Sequence, residues 1–448
     1  MCTDFSIKAK ARNNSDVFVI GRTMELGPNL DSRLFFRPKE YKFNQNPEDS
    51  FFEFLNSNDN IGDDCIIVKD ELENNMVENI YNWHGIYGFV GMNALGQNMA
   101  ANGMNTEGLT TGTMVLGVSE YQPFFKKEDS KEDSAHEDEI LNGGNVIFYP
   151  NLTNWILSNC KNCQEVINKL SVDKIANLEL EDENPNGGYI VVNPFKEVPN
   201  AFKFHFPVHD ALGNSIVLEY VDGALTVSNL ADIGVLTNDP VIAWQQENVK
   251  NNYIGIMPFN VQDSNGNPLN PNVGNNFECN TGAQGTGFAG LPGSSTPVDR
   301  FVRAAMMTNF SFPVTQITQK DFAVKPLTPN EKNTLASSGV IASEIGVKDA
   351  TTLAFHILNT VDIPKGTSRD PLVKKVHDYT QWATVSDLTN KTYTIRMYNS
   401  PQVFTVNINE LNLEELKNKP FTIPVEEKAI NITKAIKDKA QVHQEAVI

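Results

Sequence analysis

Apolar and polar residues take turns from the start of the chain. Asp4-Phe5-Ser6-Ile7-Lys8-Ala9-Lys10 alternates, Arg12-Asn13-Asn14-Ser15-Asp16 is a polar turn, and Val17-Phe18-Val19-Ile20 is a second apolar run closing on Gly21-Arg22-Thr23-Met24-Glu25. Two short strands joined by a turn predict a hairpin. Such a hairpin returns the end of its second strand to the chain terminus and puts Arg22 and Glu25 near Cys2. Strand-like sequence follows over 30–43, then a polar, acidic stretch over 44–64 that predicts a surface excursion. Residues 87–93 read as a strand. The Asn-Gly and Glu-Gly steps within 102–109 predict a hairpin turn with a returning strand up to Leu116. A charged excursion near 120–140 reads as loop, and residues 153–170 read as one helical segment.

Short apolar runs with tight turns between them return at 202–210, 215–220 and 225–227, and predict an antiparallel meander that stops at Asn238. Pro240 cannot donate to a ladder, so Asn238 is expected to project from a strand end, where active-site groups commonly lie. The Asn/Pro/Gly-rich stretch over 251–287 reads as a long loop of the functional or interface kind. Ser295-Thr296-Pro297-Val298-Asp299 is a helix start. It places Arg300 in a first turn, where a cation opposes the helix dipole, so something else must want that cation. Further helices are expected over 330–338 and 351–359, with a turn over 361–366. A last strand pair over 382–387 and 392–398 flanks a turn at 388–391, and the Lys/Glu-rich tail after 411 reads as surface. Strands and helices segregate, which predicts an α+β fold of layered antiparallel sheets. A single domain over 2–448 is expected; the number of layers is open at this point.

Composition narrows the partners. The chain has 448 residues, 40% of them hydrophobic, and a formal charge of −19, which opposes nucleic acid and anionic membrane. No run reaches the ~18 apolar residues of a membrane span, and no basic and apolar leader precedes Cys2. The chain is therefore expected to be cytoplasmic, or to be periplasmic or secreted with an export signal already removed ahead of Cys2. The five cysteines are Cys2, Cys65, Cys160, Cys163 and Cys279, an odd set that makes no disulfide scaffold. Cys160-Lys161-Asn162-Cys163 has CxxC spacing without a second such pair, which excludes the four-thiolate zinc site. A disulfide, a thiol-exchange role and a coincidence of helix face stay open for it, the last being favoured. His205, His209, His356 and His377 read as strand or helix residues with ordinary partners.

Candidate chemistry sits at the front of the chain. Removal of Met1, favoured by the small residue behind it, leaves a thiol and a free α-amino group on Cys2. The amine titrates near ~8 and the thiol near ~8.5 when unperturbed, so near neutral pH the amine is able to take the thiol's proton during attack. With Met1-Cys2-Thr3, Gly21-Arg22-Thr23-Met24-Glu25 and the 102–109 pattern in view, the chain resembles the choloylglycine hydrolase and penicillin V acylase family. These are N-terminal-nucleophile amidases that cut linear C–N amide bonds. The resemblance covers roughly residues 2–404.

That resemblance implies a four-layer αββα fold with two stacked antiparallel sheets. Carried over residue by residue, it makes Cys2 the nucleophile, Arg22 the cation that favours its thiolate, and Arg300 the second arginine. Glu25 stands where the family has an aspartate bound to the α-amine, a departure of one methylene. Asn238 matches the asparagine that donates to the oxyanion, and the backbone N–H of Val115 the other donor. Phe5, Met24, Tyr121 and Phe124 are candidates for an apolar acyl pocket, with the charged loop at 126–139 near its mouth. No cofactor and no metal is implied. The implied substrates are penicillin V, bile acid amides of glycine or taurine, or N-acyl homoserine lactones, with a slight lean to a general acylase. Acyl transfer through the same thioester, or a non-catalytic binding scaffold, are the alternatives; a homodimer or homotetramer stays open.

Overall fold

The computed structural model describes residues 1–10, 16–45, 81–94, 98–124, 145–178, 187–194, 202–254, 290–310, 347–368 and 377–424. Along the chain the strands of its two large sheets are β1 (Cys2–Lys10), β2 (Asp16–Leu26), β3 (Leu34–Arg37), β4 (Phe89–Asn93), β5 (Ala100–Asn105), β6 (Thr110–Gly112) and β7 (Met114–Val115). After these come β8 (Lys174–Ala176), β9 (Phe204–His209), β10 (Ser215–Val221), β11 (Ala224–Asn229), β12 (Val235–Leu236), β13 (Tyr379–Asp387), β14 (Thr392–Met397) and β15 (Val403–Asn407). The first sheet runs β12-β1-β2-β13-β14-β15, and the second β8-β11-β10-β9-β6-β5-β4-β3 with β7 added beside β9. Only β8 pairs parallel to its neighbour within these sheets.

Helices α1 (Leu152–Asn159) and α2 (Cys163–Lys169) follow in sequence, then α3 (Ile242–Val249), α4 (Pro297–Phe310) and α5 (Val347–Asn359). α4 and α5 pack on β1, β2 and β13, while α1 packs on β5 and β6. The other faces of the sheets meet: Tyr393 Oη and Thr384 Oγ1 of the first sheet reach Asn102 Oδ1 of the second at 2.8 and 3.2 Å. The result is the four-layer αββα arrangement that the resemblance implied. Because the central strands are covered on both faces, alternation fades there into continuous burial. All five residues of β4 and all six of β9 are buried, as expected when neither face of a sheet meets water.

The predicted first hairpin forms in the register Cys2↔Met24, Asp4↔Arg22, Ser6↔Ile20. The meander β9-β10-β11 forms too, but it ends at Asn229 and not at Asn238. The chain there leaves the second sheet, and β12 pairs with β1 in the first, Asp4↔Leu236 and Phe5↔Val235. This crossing brings Asn238 to Cys2.

Three local expectations need correction. The Asn102-Gly103 step is inside β5, not in a turn. A Cβ on Gly103 would meet Val90 O and Leu157 Cδ1, each at 2.8 Å, so glycine serves a close approach of strand and helix. The turn uses only the second step, with Gly108 at φ +83°. The helical segment over 153–170 is broken at 160–162, where Cys160 is extended and the Asn162 side chain accepts from Glu165 N at 2.8 Å, capping α2. Cys160 and Cys163 thus flank the break as free, buried thiols. Burial pushes the Cys160 thiol up to about 12 and raises Cys163 as well, which leaves both in the unreactive form. The strand-like stretch over 30–43 divides into β3 and a short pair, Lys42–Phe43 with Trp83–His84.

The tail does more than cover surface, since Phe421 pairs with Leu34 on the edge of the second sheet. The expected excursions over 46–64 and 126–139, most of the 251–287 loop, the 330–338 helix, Cys65 and Cys279 lie outside the described residues.

The Gly108 turn joins the sheets at one end, because a Cβ there would stand 2.3 Å from the carbonyl oxygen of Leu388 in the β13–β14 turn. Gly108→Ala is expected to destabilise the protein by more than about 1 kcal/mol, the positive φ alone accounting for that much. A denaturant titration reads the loss; an unchanged midpoint would contradict both the positive φ and the contact of the two turns.

Candidate active site

Strand alternation puts Cys2 and Asp4 of β1 on one face, and the register sets Met24 and Arg22 of β2 beside them. This face looks toward the second sheet. Cys2 is 2% exposed, and its Sγ lies 3.7 Å from Met24 Sδ. Its nitrogen donates to Asn238 Oδ1 at 2.8 Å. Met1 continues the ladder beyond it, donating to Glu25 O at 2.6 Å and accepting from Glu25 N at 2.8 Å.

Arg300 explains its own position in the first turn of α4. Its Nη1 donates to Cys2 O and to Thr3 Oγ1, both at 2.6 Å, and its Nη2 donates to Asn238 Oδ1 at 2.7 Å. Nε donates to Ser295 O at 3.0 Å. Burial pulls the Arg300 pKa down, against the upward pull of Glu25. Two donors therefore converge on Asn238 Oδ1, which turns the amide's Nδ2 the other way, where it donates to Val115 O at 2.7 Å. An amide nitrogen carries two hydrogens, so among the described residues one remains to be given.

Glu25 faces the helix side of the sheet. Thr380 Oγ1 donates to its Oε1 at 2.8 Å, and Oε2 has no hydrogen-bond partner among the described residues. Burial raises its pKa above the ordinary glutamate value, opposed by Arg300, the N-terminal amine, Thr23 and Thr380.

Arg22 is 1% exposed. Its Nη2 donates to Thr113 O, and Nη1 lies 3.9 Å from Asp4 Oδ2. A Cβ on Gly112 would stand 3.0 Å from its Cζ, so the second sheet presses directly on the guanidinium.

Two residues of this seam lie outside the candidate site, and in sequence His209 reads as a strand residue with an ordinary partner. Asp4 Oδ1 lies 2.7 Å from His209 Nε2, whose Nδ1 lies 2.8 Å from Ser215 Oγ. The alternating run that carries Cys2 held the signal for Asp4, two positions on and hence on the same face. Nothing local marked His209 as its partner across the sheets.

Met24 is brought to the thiol; the other pocket candidates are not. Phe5 is an odd number of residues from Cys2 and so points to the opposite face, its ring lying across Gly21 on the helix side. Tyr121 stacks on Tyr149 at 4.3 Å and donates to Phe204 O at 2.6 Å, and Phe124 packs edge-on against Phe148 at 5.1 Å. This aromatic cluster is on the outer face of the second sheet, because Phe204 alternates with His205, which faces inward. Apolar character alone placed them; strand parity turns Phe5 away, and the Tyr149 and Phe148 rings take Tyr121 and Phe124. Among the described residues no group of three or more His, Cys, Asp or Glu is arranged to hold a metal ion.

Fold and nucleophile together define an N-terminal-nucleophile hydrolase. The sequence model described as linear amide C–N hydrolases, choloylglycine hydrolase family, matches residues 2–324 and 343–421. The chain belongs to that family, and it is a linear amide C–N hydrolase that works through Cys2. It is 25% identical over 416 residues to a bile salt hydrolase/transferase of Clostridium perfringens, covering 92% of this chain and 94% of that one. It is 23% identical over 335 residues to a penicillin V acylase of Pectobacterium atrosepticum, covering 74% and 68%. Among solved structures, the C2A mutant of a conjugated bile acid hydrolase from Clostridium perfringens superposes with a TM-score of 0.57 at 21% identity, covering 96% of this chain and 99% of that one. A penicillin V acylase from Agrobacterium tumefaciens gives 0.53 at 18%, covering 92% and 88%.

The raised pKa of Glu25 has a sign that can be followed. Below the ordinary glutamate value near 4.5 the side chain is protonated in both folded and unfolded chains. As pH rises the unfolded chain ionises first, so the fold loses stability until the folded group ionises too. Glu25→Gln escapes this loss. Its Tm is expected to exceed that of the wild type by a margin that grows with pH from about 4.5 upward and then levels. Parallel melts across that range check it, and a margin independent of pH would contradict it.

Proposed function

We propose that this enzyme hydrolyses amides of an apolar acyl group, penicillin V-like, bile-salt-like or N-acyl homoserine lactone-like, with Asn238 and the backbone N–H of Val115 binding the oxyanion. The observation that carries the reading is the orientation of the Asn238 amide. Its oxygen is taken by the Cys2 nitrogen and Arg300, and its nitrogen, donating to Val115 O, keeps a second hydrogen without a partner among the described residues. Donors aimed at developing charge in a dry site are the usual large term in acyl transfer.

Once Met1 is gone, the Cys2 nitrogen becomes an α-amine held by Asn238 Oδ1, with Glu25 on the neighbouring strand balancing its charge. The amine takes the thiol proton as Sγ attacks the acyl carbonyl, and the C–O π electrons move to oxygen. It returns the proton to the leaving nitrogen as the C–N bond breaks, giving a thioester and a free amine. Water then attacks the thioester, the same amine accepting its proton and returning it to Sγ. Arg22 supplies a fixed positive charge on the thiol's face, and Arg300 holds Cys2 O and Asn238 in register. The long charged loops of the sequence and Glu25 together depart from the bile-salt pattern, which leans the reading slightly to a general acylase.

A second outcome uses the same thioester: an amine in place of water would make the enzyme an acyltransferase, and the Clostridium perfringens relative carries both words in its name.

The test starts from protein confirmed by intact mass to begin at Cys2. Amine release is measured from penicillin V, glycocholate and a long-chain acyl homoserine lactone, with and without an added acceptor amine. Turnover of one of them, lost in Cys2→Ala, is the expected result; acyl transfer at the expense of acid release would favour the second outcome. Asn238→Ala should lower kcat by about 10²-fold or more. A change confined to KM would count against the oxyanion role.

A further inference from the structure

The turn over 237–240 that presents Asn238 is gripped from behind by side chains that touch no reacting group. Gln245, in α3 and 0% exposed, places its Nε2 2.9 Å from Asn238 O, 3.0 Å from Thr237 Oγ1 and 3.3 Å from Pro240 O. Three oxygens around one amide atom require that atom to be the nitrogen. Thr237 Oγ1 passes the link on, donating to Pro297 O at 3.0 Å, at the start of the helix that carries Arg300.

The same turn is held at both ends by a buried pair on the second sheet. His205 Nε2 lies 2.9 Å from Thr237 O, and its Nδ1 lies 3.2 Å from Glu219 Oε1. Glu219 Oε1 also accepts from Ile242 N at 2.9 Å, at the first residue of α3. Asp239 is fixed as well, its carboxylate accepting from Gly117 N at 2.9 and 3.0 Å, two residues beyond Val115. Both proposed oxyanion donors are thereby tied to one frame.

We propose that Gln245 is a positioning residue for the Asn238 amide, with the His205–Glu219 pair as its second support. This rests on the oxyanion role given to Asn238 above. A catalytic donor tolerates little displacement, since about 1 Å of misplacement can cost about 10²-fold in rate. The backbone carbonyl that Gln245 holds belongs to the same residue as the amide that must be aimed. Gln245 acts on the aim and not on substrate affinity, so its loss falls on kcat and leaves KM nearly unchanged.

A double-mutant cycle tests this. Gln245→Met keeps the side chain's size and removes its donors. In the wild-type background it should lower kcat by about 10-fold or more at nearly constant KM, while Cys2 is alkylated at the wild-type rate. In the Asn238→Ala background the same substitution should cost less than about 3-fold, because the group it aims is gone. His205→Gln keeps a donor for Thr237 O and should retain more kcat than His205→Leu.

Wild-type kcat in Gln245→Met, a loss confined to KM, or an equal loss in both backgrounds would overturn the proposal. If Gln245→Met does not fold, Gln245→Asn, whose donor is one methylene shorter, is read against the same cycle. Should Asn238→Ala alone keep the wild-type kcat, the oxyanion reading itself falls, and that outcome is separate from an uncoupled pair.

Discussion

A guanidinium sealed from water holds this site together. Arg300 has 0% exposure, and burying an ion costs several kcal/mol unless its hydrogens are matched. Four of its five N–H groups are matched, donating to Cys2 O, Thr3 Oγ1, Asn238 Oδ1 and Ser295 O, and the Glu25 carboxyl pulls its pKa upward against the larger downward effect of burial. The unfavourable meeting of a cation with the start of α4 is offset by these oxygens. The first strand, the Asn238 turn and the start of α4 share one ion and so are ordered together.

The space between the sheets is not a plain apolar core. Asp4 meets His209 and stands near Arg22, Arg22 meets the Thr113 carbonyl, and Asn102 receives Thr384 and Tyr393. Polar groups in such surroundings are costly when unpaired and specific when paired. They also pin the register. A slip of one residue in β1 would turn Asp4 and Cys2 onto the helix side, leaving His209 and Arg22 without the carboxylate. The seam that fixes the strand pairing is therefore also what keeps the thiol on the inner face.

Much of the site was legible because its signals are local. The alternation over 4–10 and 17–20 defines the hairpin, and the hairpin alone brings Arg22, Met24 and Glu25 back to Cys2. Ser295-Thr296-Pro297 sets the helix start and, with it, the odd position of Arg300. Signals that depend on what lies opposite were misread. Gly103 looked like a turn glycine because its neighbours Val90 and Leu157 are invisible in sequence. Cys160 and Cys163 read as one helix face because an Asn within an apolar-periodic stretch caps a new helix only when the chain breaks before it, as it does at Cys160. Phe5, Tyr121 and Phe124 were chosen for apolar character, a property shared by pocket and core.

What the amino-acid order determined by itself is the set of elements, the residue types of the chemistry, and which residues of a strand share a face. Those follow from backbone period, turn chemistry and capping, all settled within a few residues. The tertiary structure alone decided which face meets the other sheet, and which distant groups close on the thiol. Asn238 and Arg300 reach Cys2 across 236 and 298 positions of chain. Asn238 arrives only because β12 leaves the meander to pair with β1. That crossing has no local signature, since two buried residues, Val235 and Leu236, satisfy either sheet equally well. The choice between them is made by the hydrogen bonds and the buried cation waiting at the other side.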